Sequence, residues 1–345
     1  MSDILRLSSG STLMNMACSG HPDWAMVTGK YYWMAGSSSS GKTFLTLTFM
    51  AEASINPAFD GYDLIYDNVE DGAMMDFERY FGPKAAARIQ PPKPGPVFSR
   101  YVADFYHNLD DRIAAARKKN GRPFIYLLDS MDSLDAESTT KKFRAAKKPK
   151  ADGTAAAGDY GMEKAKMNSE RLRVACADLR DTNSILIILS QVRENINGGM
   201  FEPDEITAGG RALKFYATWQ LWSSVARTLT KTINGQDRQT GIVSRVKVKK
   251  NRLSGKEWSV EIPLYWSHGL DDVGGCVDFL IKEKCWKKND DGIVFATDLG
   301  LECKRGELID KIEHGRLYND LKEAVVRVWA DIEAQSQVHR QSKYH

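Results

Sequence analysis

At 345 residues, 42% hydrophobic and 27% charged, the chain is long enough for one large domain or a core with an appendage, and its composition excludes fibrous and disordered classes. Its formal net charge of +3 neither demands nor excludes a polyanionic partner, so only local clustering of Lys and Arg bears on that question. The five cysteines are odd in number and form no CxxC pair, which argues against a zinc site or disulfide framework and for a reduced, cytosolic compartment; no apolar run approaches the roughly 20 residues of a membrane span, and the N-terminus lacks the pattern of a signal peptide.

In chain order, Met1 to Leu7 is expected to supply a short strand and no long helix. Lys30 to Gly36 reads as a buried strand running into a glycine turn, followed by a helix over Thr43 to Ala53. Tyr62 to Tyr66 reads as a second strand, and a helix is expected over about Gly72 to Phe81. The proline-rich stretch Pro91 to Pro96 interrupts the pattern before a short strand expected at Val97 to Tyr101. A helical period runs from Ala103 to Lys119, and a longer one from about Gly161 to Asp181. Phe124 to Leu128 and Ile185 to Leu189 are continuous apolar runs, the signature of strands buried on both faces. Trp219 to Val225 and Val243 to Lys249 read as antiparallel edge strands. From about Gly275 the pattern is that of a small α/β appendage, ending in an amphipathic helix with Leu321, Val325, Val328 and Trp329 on one face.

Gly36-Ser37-Ser38-Ser39-Ser40-Gly41-Lys42-Thr43 fits the spacing G-x-x-x-x-G-K-[ST] completely, between a predicted strand and a predicted helix. Small residues let successive backbone N–H groups converge on phosphate oxygens, and the helix N-terminus adds a favourable dipole. Lys42 is expected to reach the β- and γ-phosphates of ATP, and the Thr43 hydroxyl to bind Mg²⁺. Asp129 ends the run Phe124 to Leu128, where a carboxylate beside a phosphate loop can hold Mg²⁺; a helix-capping Asp is the alternative. The expected fold is therefore α/β: a P-loop core with a mostly parallel central sheet, antiparallel edge strands and a small C-terminal α/β appendage.

Lys141, Lys142, Arg144, Lys147, Lys148 and Lys150 crowd ten residues that contain no acid, and a small-residue stretch follows from Ala151 to Gly158. Such a segment suits phosphate contact and carries little base information; a solvated charge run is the alternative.

Gly209 to Tyr216 (GGRALKFY) resembles the stretch that closes the second DNA loop of RecA recombinases. Ser190-Gln191-Val192-Arg193, Met200-Phe201 and Gly209-Gly210 follow in that family's order, and Arg245 to Asn251 resembles its next strand. The resemblance is collinear over roughly residues 9 to 288 and is to compact, phage-type RecA-like ATPases, which implies a cytoplasmic location, that of the bacterial host if the chain is phage-encoded. It implies a short N-terminal segment (1–10), a RecA-like ATPase core (11–288) and a small C-terminal domain with a terminal helix (289–345).

The resemblance also implies roles. Glu70 falls where the family places the carboxylate that activates the attacking water, with Asp67 and Asp71 as neighbours that chemistry alone would allow. Phe77 falls where an aromatic ring stacks on adenine, although helical spacing alone reads it as core. Gln191 takes the place of the γ-phosphate sensor at the head of the second DNA loop. Lys250 and Arg252 match the basic pair that reaches a neighbouring protomer's ATP, with Arg at the second position where the bacterial pattern has Lys. The basic segment 141–150 matches the first DNA loop, and Val192 to Arg211 the second. There Arg193 and Arg211 are placed for phosphate, and Ile196, Met200 and Phe201 for wedging between bases.

The function so implied is an ATP- and Mg²⁺-dependent recombinase that binds single-stranded DNA, engages duplex DNA during strand exchange, self-associates into a helical filament or ring, and hydrolyses ATP when DNA is bound. A ring-forming helicase or loader and a recombination mediator are the alternatives on the same core; micrographs with DNA separate the first two, and DNA-stimulated hydrolysis separates the third.

Overall fold

The computed structural model describes residues 3–71, 75–95, 97–136, 160–194, 205–207 and 210–338, with residues 340, 341 and 343. Strand β1 (Arg6–Leu7) precedes helix α1 (Thr12–Ser19) and pairs antiparallel with β2 (Met26–Val27). Then come β3 (Lys30–Gly36), α2 (Lys42–Ile55), β4 (Asp63–Asn68), α3 (Phe77–Arg88), β5 (Ile89–Gln90), α4 (Val102–Ala116) and β6 (Phe124–Asp129). Helix α5 (Tyr160–Thr182), β7 (Ile185–Glu194), β8 (Glu205–Thr207) and α6 (Arg211–Tyr216) follow, then β9 (Trp219–Ile233), β10 (Gln236–Asn251), β11 (Ser259–Tyr265) and β12 (Gly269–Leu270). The chain continues with α7 (Asp272–Lys282), β13 (Lys287–Lys288), β14 (Ile293–Ala296), β15 (Leu301–Lys304), α8 (Arg305–His314) and α9 (Tyr318–Gln335).

The central sheet runs β12-β11-β10-β9-β3-β7-β6-β4-β5, with β8 added to the end of β7. Pairings from β9 through β5 are parallel; those from β9 to β12 are antiparallel. Strand alternation explains why the central runs are apolar throughout. Tyr32 and Met34 of β3 enter one core, and Tyr31, Trp33 and Ala35 the other, on the opposite face. The first core takes in α1 and α2 and continues into the C-terminal strands and helices through Trp286, Val294, Leu308 and Trp329. There Trp329 of α9 packs on Trp258 and Phe279, with ring centroids 4.0 and 5.7 Å apart. The α9 residues Leu321, Val325, Val328 and Trp329 are buried together, as the helical period predicts. Among the described residues no helix is long and apolar enough to cross a membrane.

Three elements differ from the sequence expectation. The helix expected over 72–81 lies at Phe77–Arg88, because Asp76 accepts a hydrogen bond from the Arg79 N–H (3.0 Å) and caps it there. It continues past Gly82 (φ 82°) only through a kink, with Pro83 opening the second segment. No strand forms over 97–101; isolated bridges join Lys93 to Val97 and Tyr101 to Asp135, and the Ser99 N–H and hydroxyl are turned onto Asp67 (2.9 and 2.6 Å). The β9–β10 hairpin extends to residues 233 and 236, well beyond the expected ends, because Asn234 and Gly235 both take positive φ (53° and 72°) and close it in a two-residue turn.

Candidate nucleotide site

The carboxyl edge of the parallel strands gathers the predicted residues. Gly36, where β3 ends, is register-paired with Gln191 of β7, and Asp129 of β6 with Asn68 of β4. The phosphate loop leaves β3 at Gly36 and enters α2 at Lys42, with Ser39 (φ 59°) and Gly41 (φ 85°) supplying the left-handed turns. A Cβ on Gly36 would lie 2.0 Å from Ser223 Oγ, so only glycine fits against β9. Two serines brace the loop from behind. Ser223 Oγ shares a 2.8 Å hydrogen bond with Ser40 Oγ, and Ser244 Oγ donates to the Ser40 carbonyl at 2.7 Å. Lys42 is buried and Thr43 half-buried. Ser37 and Ser38 stand in the turn between β3 and α2.

Thr43 Oγ1 donates to Asp129 Oδ2 at 2.7 Å, and Tyr66 OH donates to the same oxygen at 3.2 Å. Asp129 Oδ1 is buried with no hydrogen-bond partner among the described residues. An unsatisfied carboxylate oxygen in a dry site is costly unless something positive meets it. Burial pushes the Asp129 pKa up, the Thr43 hydrogen bond opposes that, and the Glu70 charge adds to it. An orphaned carboxylate oxygen beside a threonine hydroxyl is a donor set that fits Mg²⁺. No group of three His, Cys, Asp or Glu among the described residues forms a self-sufficient metal site, so the remaining ligands would be phosphate and water.

Glu70 lies at the same edge, its N–H on the Asp129 carbonyl at 3.1 Å. Its Oε1 accepts from Gln191 Nε2 (2.9 Å), Ser130 Oγ (2.5 Å) and Ser133 Oγ (3.3 Å). Asp67, the neighbour that sequence chemistry allowed, is engaged elsewhere: it is buried and accepts from the Ser99 N–H, the Ser99 hydroxyl and, at 2.7 Å, the Tyr126 hydroxyl. Asp71 is exposed.

A cavity of about 380 Å³ adjoins the phosphate loop. Its walls include Phe44, Met75, Tyr80, Ile242, Leu264, Tyr265 and Trp266. Phe77 is not among them. It packs between Tyr66 and Phe81 (centroids 6.0 and 5.7 Å) and lines the neighbouring cavity with Asn68 and Phe98, whereas Tyr80, one helical turn on, lines the cavity beside the phosphate loop. The Tyr80 hydroxyl donates to the Trp266 carbonyl and ties α3 to the β11–β12 turn; Trp266 is 56% exposed. Sequence reasoning singled out neither Tyr80 nor Trp266 as a cavity-lining residue; the adjacent Tyr265-Trp266 pair before a turn was the available signal.

Lys250 and Arg252 do not approach the chain's own phosphate loop. Lys250 is paired with Gln220, which is level with Trp33, three residues before Gly36. Lys250 Nζ donates to the carbonyls of Lys214 (2.9 Å) and Phe215 (2.7 Å), and Arg252 Nη2 to that of Phe215 (3.0 Å), at the C-terminal end of α6. Burial first, then the Arg252 charge, lowers the Lys250 pKa. Helix α6 starts at Arg211, which is exposed, so the helix joins these cations to the end of the second predicted DNA segment. That segment opens and closes as a ribbon, with Val192, Arg193 and Glu194 paired to Thr207, Ile206 and Glu205. The expected contacts Lys141, Lys142, Arg144, Lys147, Lys148, Lys150, Ile196, Met200 and Phe201, and the Arg193 side chain, lie outside the described residues.

A β-strand, a glycine–serine turn and a helix N-terminus at the carboxyl edge of a parallel sheet, facing a buried acid, define the P-loop class of α/β proteins. Within that class the chain is similar to the RecA family. The family description "RecA N-terminal domain" matches residues 141–271, a stretch that begins after the phosphate loop, so this likeness and the loop motif are independent observations. The chain is similar to Protein RecA of Phytoplasma mali (strain AT), 26% identical over 321 residues, covering 92% of this chain and 84% of that protein.

Proposed function

We propose that this protein is a DNA-stimulated ATPase that assembles on single-stranded DNA and promotes homologous pairing and strand exchange with a duplex. The observation that carries the reading is the Gln191–Glu70 hydrogen bond: one residue at the phosphate edge would open the second DNA segment, and the other is a carboxylate whose N–H is bonded to the carbonyl of Asp129, one of the Mg²⁺ donors.

Small loop residues from Gly36 to Gly41 present backbone N–H groups to the phosphates, and Lys42 adds its positive charge. Mg²⁺ held by Thr43 and Asp129 would neutralise charge on the phosphates during transfer. Glu70 Oε1 is occupied by three donors, while Oε2 has no hydrogen bond among the described residues. Oε2 is the atom that takes the proton as a water oxygen bonds to the γ-phosphorus and the bond to the bridging oxygen breaks, releasing ADP. The nucleobase takes the cavity walled by Tyr80 and Trp266. Gln191 exchanges its Glu70 contact for the γ-phosphate and reshapes the segment that follows it. Lys250 and Arg252, held on α6 carbonyls in the single chain, serve the ATP of an adjacent copy, which makes hydrolysis depend on assembly.

Electron micrographs of the protein with single-stranded DNA and a slowly hydrolysed ATP analogue test this directly. A continuous helical filament is expected. Discrete rings would favour the helicase or loader reading, and no assembly would remove both.

A further inference from the structure

The short turn that follows β6 carries more chemistry than the phosphate loop requires. Residues Met131–Ser133 form one 3-10 turn, separated from Asp129 by Ser130 alone. From it and its preceding residue, two hydroxyls converge on one atom: Ser130 Oγ donates to Glu70 Oε1 at 2.5 Å, and Ser133 Oγ to the same oxygen at 3.3 Å. The carboxylate of Asp132, between them, accepts the Gln191 N–H at 2.8 Å. Lys164 of α5 pins the turn by donating to the Leu134 carbonyl at 2.8 Å and the Asp132 carbonyl at 3.4 Å. One turn of chain thus grips both the side chain of Glu70 and the main chain of Gln191.

We propose that Ser130 and Ser133 are positioning residues for hydrolysis: their hydroxyls fasten Oε1 of Glu70 and so aim Oε2 at the attacking water, even after Gln191 leaves Glu70. This rests on the functional reading above. The geometry requires it in one respect. Gln191 cannot hold Oε1 and contact a γ-phosphate together, so an orientation that must survive that exchange needs other donors. Ser130 is fully buried and Ser133 exposed, so the pair spans the site from floor to rim. A carboxylate misplaced by about 1 Å loses much of its catalytic effect.

The test is single-turnover ATP hydrolysis on single-stranded DNA, with ATP-analogue affinity measured alongside. Ser133→Ala, at an exposed hydroxyl and so safe for folding, is expected to slow the chemical step about threefold to tenfold at unchanged affinity, and Ser130→Ala with Ser133→Ala about a hundredfold. Ser133→Thr, which keeps the hydroxyl, is expected to restore the rate. In a Glu70→Gln background the serine substitutions should have little further effect, because the group they position is already disabled. Unchanged hydrolysis in the double variant, or an equal loss in the Glu70→Gln background, would overturn the inference while leaving the ATPase reading intact. A wild-type protein that hydrolyses no ATP would remove both.

Discussion

Gln191 Nε2 lies 2.9 Å from Glu70 Oε1, joining the strand that opens one predicted DNA segment to the turn after β4. The two residues are 121 positions apart in sequence and meet because β7 and β4 flank β6 at one sheet edge. A hydrogen bond there makes the position of each side chain a function of the other, which is how the proposed coupling between nucleotide and DNA would be carried.

The phosphate loop tolerates no side chain at its first position. A methyl group on Gly36 would meet Ser223 Oγ at 2.0 Å and Ser40 Oγ at 2.7 Å. Gly36→Ala is expected to push the loop off β9, costing about 1–3 kcal/mol of stability and weakening ATP binding severely. Denaturant unfolding with fluorescent-nucleotide titration checks this; wild-type affinity in the variant would refute the loop's packing against Ser223.

The buried acid behaves in a pH-dependent way whose sign is fixed. Burial raises the folded-state pKa of Asp129 above its unfolded value. The stability this group contributes is therefore complete below the ordinary carboxylate range and is lost as pH rises through the folded value. Asp129→Asn removes the buried charge and still accepts from Thr43 and Tyr66. Without nucleotide or Mg²⁺, the variant is expected to be more stable than wild type at neutral pH, by a margin that shrinks on acidification. Unfolding curves across pH measure it, and a margin independent of pH would contradict the account.

The proposed nucleobase site distinguishes Trp266 from Phe77. Trp266→Ala is expected to weaken ATP-analogue binding about tenfold, with little change in stability, because the ring is 56% exposed on the cavity wall. Phe77→Ala is expected to lower stability by about 2 kcal/mol through lost packing on Tyr66 and Phe81, with a smaller effect on affinity. The opposite pattern in calorimetric titrations would favour an adenine contact at position 77.

Six lysines and arginines between 141 and 150 carry the electrostatic part of the DNA reading. Their joint replacement by Ala is expected to weaken single-stranded DNA binding and to flatten the slope of log affinity against log salt by several units. An unchanged slope in fluorescence-anisotropy titrations would make the segment a solvated face.

The parallel half of the sheet was legible because β3, β6 and β7 are apolar on both faces, and the site because its loop motif and Asp129 lie at strand ends. What escaped depends on contacts distant in sequence. Val97 to Tyr101 has strand composition, yet Ser99 is bound to Asp67, 32 residues away. The distal half of the β9–β10 ribbon lacks a buried face, so its Thr, Lys and Arg residues give no hydrophobic alternation; the Asn234-Gly235 turn was the one local sign. Ser130 and Ser133 belong to no motif in the sequence, and only the fold brings Glu70 to them.

The most direct test of the central claim is the ATPase rate of wild type and Gln191→Ala, each with and without single-stranded DNA, at saturating ATP. The account predicts strong stimulation by DNA in wild type, and in the variant nucleotide affinity within about threefold of wild type but stimulation nearly abolished. Equal stimulation in the two proteins would show that the Glu70–Gln191 contact does not connect the nucleotide to the DNA segment.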